Sequence, residues 1–158
     1  MTVPEGNGRG RRGLAHFVAC ALILLAALWY VTGRGAGFVR DVHLDGPYRL
    51  VALKESQDMA LCRSFGTARD CVGDGLPEPT IFKAGFNADY IVLARHPRRW
   101  PEPANRSISE FYYVKRTPRD WDAGNRVSVV GPLDRIEFDR EKTRLWLPEF
   151  SKVFNDLK

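Results

Sequence analysis

Ala88-Asp89-Tyr90-Ile91-Val92-Leu93-Ala94-Arg95 (residues 88–95) contains an apolar run from Tyr90 to Ala94. Successive side chains of a strand point to opposite faces, so apolar residues in unbroken succession need cover on both sides. The run is short for a helix and is bounded by Asn87 and by His96-Pro97, so it reads as the central strand of a sheet. Working outward, residues 80–83 form its upstream neighbour, and Ala84-Gly85-Phe86-Asn87 has the length and composition of a hairpin connection. Residues 48–55 (YRLVALKE) follow a Gly46-Pro47 turn, and residues 59–64 make a further strand. Residues 108–116 (ISEFYYVKR) and 126–130 (RVSVV) complete an antiparallel sheet. Between them, residues 117–125, with Pro118, Asp120, Asp122, Gly124 and Asn125, read as a solvated loop.

The end of the chain changes character. Gly131-Pro132-Leu133 reads as the stop of the last strand. Asp134 and Glu137 have capping-box spacing, an acceptor at the helix start and a carboxylate three residues on. A helix over 135–147 follows, closed by Pro148, with Phe138, Leu145 and Trp146 expected to face the sheet and a final helical turn over 150–157.

The start of the chain sets location. Residues 14–31 (LAHFVACALILLAALWYV) carry no formal charge over eighteen positions. A helix of that length spans ~27 Å, close to the hydrocarbon thickness of a bilayer. Arg9, Arg11 and Arg12 stand before it and Trp29 and Tyr30 close it, as at a membrane interface. The reading is an uncleaved signal anchor: a basic cytoplasmic N-terminus over 1–13, a transmembrane helix over 14–31, a Gly-rich tether over 32–39 and an extracytoplasmic domain over 40–158. Arg9, Arg11 and Arg12 against Glu5, compared with Arg34 and Arg40 against Asp41 and Asp45, favour the N-terminus inside and the domain in the periplasm. Two other readings are a cleaved secretory signal ending near Gly33 to Gly37, and lipidation at Cys20 after Val18-Ala19. The first must accommodate a long apolar run ending in bulky Leu28, Trp29, Tyr30 and Val31. The second must accommodate apolar sequence continuing from Ala21 to Val31. The fold class is therefore α+β: one N-terminal transmembrane helix, then a small antiparallel β-sheet domain with a C-terminal helix.

Besides Cys20, the chain has only Cys62 and Cys71, which enclose a short turn-rich segment. Two cysteines closing such a loop suit a disulfide, and disulfides persist in oxidising compartments such as the periplasm. Two unpaired thiols in a cytoplasmic protein are the alternative. A zinc site lacks a second Cys or His pair.

The succession GPYRLVAL, YIVLARHP, EFYYV and GPLDRIEFDREKTRLWLPEF resembles a family of small, uncharacterised bacterial envelope domains. The resemblance covers about residues 46–150. It implies an N-terminal lipoprotein signal or anchor, a strand-rich body and a terminal Gly-Pro-Leu turn before an acidic-basic helix. It implies an extracytoplasmic β-domain and supplies no activity. This chain departs from the lipoprotein members in having no credible lipobox.

Chemical motifs are sparse. There is no Gly-x-Ser-x-Gly elbow, phosphate loop, His-Glu-x-x-His or Cys-x-x-Cys. His16, His43 and His96 are the only histidines, and the first lies in the apolar segment. Asp41-Val42-His43-Leu44-Asp45 would place three ligand-capable side chains on one strand face, a pattern equally expected of any half-buried edge strand. Ser107 and Ser109 are ordinary for a polar loop, and Asp120 and Asp122 could do acid–base work only if buried. The reading is a non-enzyme with no cofactor and no metal.

The candidate ligand or partner surface is Arg95, His96, Arg98, Arg99 and Trp100, joined by Trp121. Basic residues beside an aromatic suit an anionic ligand, and an exported location argues against nucleic acid. The net charge of +5 does not decide the matter, because the three arginines before the anchor supply much of it. The expected function is a membrane-anchored periplasmic interaction module docking another envelope protein. The alternative is a small envelope binder or inhibitor recognising an anionic polymer or a secreted hydrolase. Nothing in the sequence specifies an oligomeric state.

Overall fold

The strand expected at Tyr90–Ala94 is the middle strand of a five-stranded sheet. The computed structural model describes residues 38–65, 70–73 and 75–158. Two antiparallel sheets are present. In the first, β1 (Arg40–Asp45), β2 (Tyr48–Ala52), β3 (Ala60–Ser64) and β4 (Cys71–Val72) lie in chain order. The second contains β5 (Ile81–Phe86), β6 (Tyr90–Arg95), β7 (Glu110–Lys115), β8 (Ser128–Leu133) and β9 (Lys152–Val153), ordered β8-β7-β6-β5-β9. One α-helix, α1 (Arg135–Leu145), follows β8. The single sheet expected from the strand pattern is thus corrected to two.

The register shows how the layers meet. Val92 pairs with Tyr113 and Ala94 with Phe111, so these four share one face of the second sheet. That face meets α1: Phe138 stacks on Phe111 at 5.0 Å, and the Tyr113 hydroxyl donates to Glu141 at 3.0 Å. Ile91, Leu93 and Val114 point the other way and are also fully buried. They join Tyr48, Leu50, Ala52 and Leu61 of the first sheet in one hydrophobic core. Burial of β6 on both faces follows from this double cover.

Several local expectations are corrected. Ala84, Gly85 and Phe86 belong to β5, and the turn lies at residues 87–89. Asn87 makes it, its side-chain oxygen accepting from the amides of Asp89 at 3.0 Å and Tyr90 at 2.8 Å. Gly85 serves close approach instead, since a Cβ there would collide with the carbonyl of Glu149. β8 does not stop at Val130 but runs through Gly131-Pro132-Leu133. This is an edge strand, where proline is tolerated, and its register with β7 shifts at Phe111/Tyr113. Gly131 adopts φ +136° with the Tyr112 ring 2.5 Å from where a Cβ would sit.

The capping box closes α1 as expected. Asp134 accepts from the Glu137 amide at 2.8 Å, and Glu137 accepts from the Asp134 amide at 2.9 Å. Phe138 is buried and Leu145 packs at the core margin. Trp146 does not face the sheet: it ends the helix in the left-handed conformation and stands in solvent. The expected last helical turn is instead the short strand β9 followed by a turn.

Among the described residues no helix is long and apolar enough to cross a membrane. The segments expected to be a cytoplasmic N-terminus (1–13), an anchor (14–31) and most of a tether (32–39) lie outside the described residues.

Candidate functional site

Residues 95–100 leave the end of β6 and run into a loop, and the structure separates them by role. Arg95 donates from Nε to Glu110 at 2.8 Å and lies 3.5 Å from Glu78, leaving its side chain 12% exposed. His96 is buried, its ring stacked on Phe82 at 4.1 Å and its Nδ1 donating to the Ile108 carbonyl at 2.7 Å. It is therefore a packing residue and not part of any surface. Arg98 is 9% exposed, ion-paired with Glu55 and with Asp58 at 2.9 Å, and its Nε donates to the Glu102 carbonyl at 2.9 Å. Arg99 is exposed, and Trp100 is 80% exposed. The basic run is consequently neutralised by four carboxylates brought to it by folding. Trp100 lines a cleft of about 370 Å³ with Asp58, Glu78, Pro79 and Arg98.

Trp121 does not join this surface. Arg95 pairs with Glu110 while Tyr90 pairs with Lys115, so the loop after β6 and the loop after β7 leave opposite ends of the sheet. Six residues of strand separate them, on the order of 20 Å. The 117–125 loop is also less wet than its composition implies. Its first turn, Pro118–Trp121, is closed by a capping box between Thr117 and Asp120. Asp120 is buried and accepts from the Tyr48 hydroxyl at 2.9 Å, the Thr117 amide at 3.0 Å and the Thr117 hydroxyl at 2.8 Å. Arg63, buried on the core face of β3, donates to the carbonyls of Asp120 at 3.3 Å and Asn125 at 2.8 Å. These bonds tie the loop to the first sheet. Burial, followed by the bond to Asp120, holds the Tyr48 hydroxyl well above its ordinary titration range.

Held on this frame, Trp121 is 61% exposed and Trp146 is 87% exposed. Both flank the Asn87–Asp89 turn. Trp121 lines a depression with Ala88 and Asp89, and the Asn87 side chain donates to the Trp146 carbonyl at 3.4 Å. Arg116 locks the same end by donating to the Asn87 carbonyl and pairing with Asp45. Trp146 was missed in the sequence because helical periodicity places it beneath α1. The left-handed turn that redirects it leaves no signature there, the position holding no glycine.

Cys62 and Cys71 form a disulfide joining β3 to β4, with Cα atoms 5.4 Å apart. The bond fits an oxidising compartment.

The remaining candidates are occupied. Asp41 pairs with Arg49 at 2.8 Å, His43 Nε2 lies 3.0 Å from the Gly46 carbonyl, and Asp45 pairs with Arg116. The Ser107 hydroxyl donates to Asn105 at 2.6 Å, and Asp122 accepts from the Gly124 amide at 3.0 Å. Among the described residues no three His, Cys, Asp or Glu side chains gather as a metal site.

Compared with known family models, with curated proteins and with solved structures, the chain matches none.

Proposed function

We propose that this chain is a membrane-anchored module of the bacterial cell envelope, held by one N-terminal span with its domain in the periplasm, that docks another envelope protein. The observation that carries the reading is the placement of tryptophan. All three tryptophans among the described residues stand in solvent, at 80%, 61% and 87% exposure, while phenylalanine and tyrosine build the aromatic part of the core. Tryptophan dominates the anchor residues of protein interfaces, and leaving an indole in water forfeits a large burial term. Trp121 and Trp146 share one end of the domain, stiffened by Arg63, Arg116 and Asp120. β1 starts at the other end, where Arg40 makes two 3.1 Å bonds to Asp156. The disulfide supports the periplasmic assignment.

An anionic polymer is the weaker ligand. Arg95 and Arg98, two of the four basic groups expected to hold it, are bound to carboxylates of the same domain.

The test is photocrosslinking in intact cells. A benzophenone amino acid placed at Trp121 or Trp146 is expected to give a discrete protein adduct that the same probe at Arg140, exposed on α1, does not give. Equal adducts at all three positions, or none at any, would overturn the reading.

A further inference from the structure

Trp100 is held out by a loop built for rigidity. Arg98 ties the loop to Asp58 and Glu55 and donates to the Glu102 carbonyl at 2.9 Å. The Glu102 amide donates to the Arg99 carbonyl at 2.7 Å, and the Asn105 amide to the Pro97 carbonyl at 2.9 Å. The Ala104 amide reaches the Gln57 side chain at 3.0 Å. A loop fixed by this many bonds presents Trp100 from a preorganised backbone, which lowers the ordering cost of binding.

The cleft beside it has a definite electrical character. Arg98 faces Glu55 and Asp58, and Arg95 faces Glu78 and Glu110. Of the side chains that line the cleft, Asp58 and Glu78 are carboxylates and Arg98 is the one guanidinium, which leaves a charge of −1. Arg95 and Arg98 are both largely covered, whereas the Glu78 carboxylate is exposed at the rim. Arg99 lines the neighbouring depression with Pro97, Glu102 and Ile108 rather than this one. A ligand meets the indole of Trp100, the ring of Pro79 and the outward carboxylate of Glu78, with Arg98 at the wall already paired to Asp58 at 2.9 Å. An aromatic face next to an exposed carboxylate selects a cation, which is attracted by the ring quadrupole and by the counter-ion together.

We infer that the Trp100 cleft receives a guanidinium or ammonium side chain presented by the docked partner, stacked on the indole with Glu78 as its counter-ion. The inference rests on the docking reading and adds a second contact on the opposite end of the domain from Trp121 and Trp146.

The experiment follows the indole N–H resonances of the ¹⁵N-labelled full-length chain in zwitterionic nanodiscs. The probe is triarginine amide, with triglutamine amide, triglutamate and chitobiose as comparisons. A saturable shift of the Trp100 resonance with triarginine alone is expected, weaker at high salt and about threefold to tenfold lower in affinity in Glu78→Gln. Glu78 is exposed, so that variant keeps the fold. The inference is overturned by an unmoved Trp100 signal or by equal shifts at Trp121 and Trp146. It is also overturned by a response to triglutamate or chitobiose matching that to triarginine, or by no effect of Glu78→Gln. If the Trp121 and Trp146 crosslinks persist while triarginine fails, docking stands and the cleft assignment falls; loss of both removes the docking reading as well.

Discussion

Trp146 adopts φ 55°, a left-handed conformation that side chains with a Cβ rarely take. Its indole is exposed, so the strain is not offset by burial within this domain. Replacing it with glycine should relieve the backbone and is expected to stabilise the fold by up to about 1 kcal/mol. The check is the urea midpoint of Trp146→Gly, together with loss of the Trp121 crosslink. A destabilised variant would mean that the indole packs within the domain after all. The tyrosines set a second expectation. Burial, and then a bond to Glu110, pushes Tyr112 from 10.0 up to about 12, and burial with the Asp120 bond pushes Tyr48 in the same direction. A folded-state value above the unfolded one binds the proton more tightly in the native state. That contribution is complete below pH 10 and is lost as pH rises through the folded values. Urea midpoints should therefore agree at pH 8 and 9.5 and fall at pH 11. The fall should be shallower in Tyr112→Phe, and an equal fall in that variant would remove Tyr112 from the account.

At the scale of elements, β5 shows what a strand pattern hides. Glycine and asparagine at 84–87 look like one turn, yet Asn87 makes the turn and Gly85 lies within the strand, because residues 149–150 cross directly over it. Gly85→Ala is expected to cost about 2–4 kcal/mol, since the clash is with backbone that cannot rotate away. Equilibrium unfolding measures it, and a loss under 0.5 kcal/mol would mean that residues 149–150 move aside freely. The contrast marks what was legible. β6 and β7 were readable because apolar runs report burial directly, and the start of α1 because its capping box is local. The division into two sheets was not readable, because it depends on pairings between distant strands. Nor was the character of residues 95–100. Arg98 meets Glu55 across 43 positions and Asp58 across 40, so a segment that is basic in sequence becomes a neutralised frame around Trp100.

The whole molecule must agree about its compartment. The Cys62–Cys71 bond spans a separation of nine residues and ties β4, paired to β3 alone, to the first sheet. On chain-entropy grounds it contributes ~2.5–3 kcal/mol, and it forms only where thiols oxidise. The proposal that the domain lies outside the cytoplasm also rests on the apolar sequence over 14–31 and the arginines before it, which involves neither Cys62 nor Cys71. One measurement separates the state of the cysteines from the fate of the apolar segment. The protein is taken from native membranes, its free thiols are alkylated under denaturing, non-reducing conditions, and its intact mass is recorded. A full-length mass with one alkylated cysteine is expected, Cys20 alone being free. A mass beginning near Gly33 to Gly37 would turn the anchor into a cleaved signal and release the domain as a soluble periplasmic protein, leaving the tryptophan surfaces unchanged. Three alkylated cysteines on the full-length chain would remove the bridge and the periplasm together. The partner would then have to be sought among cytoplasmic proteins, and nucleic acid would return as a competitor for the exposed indoles.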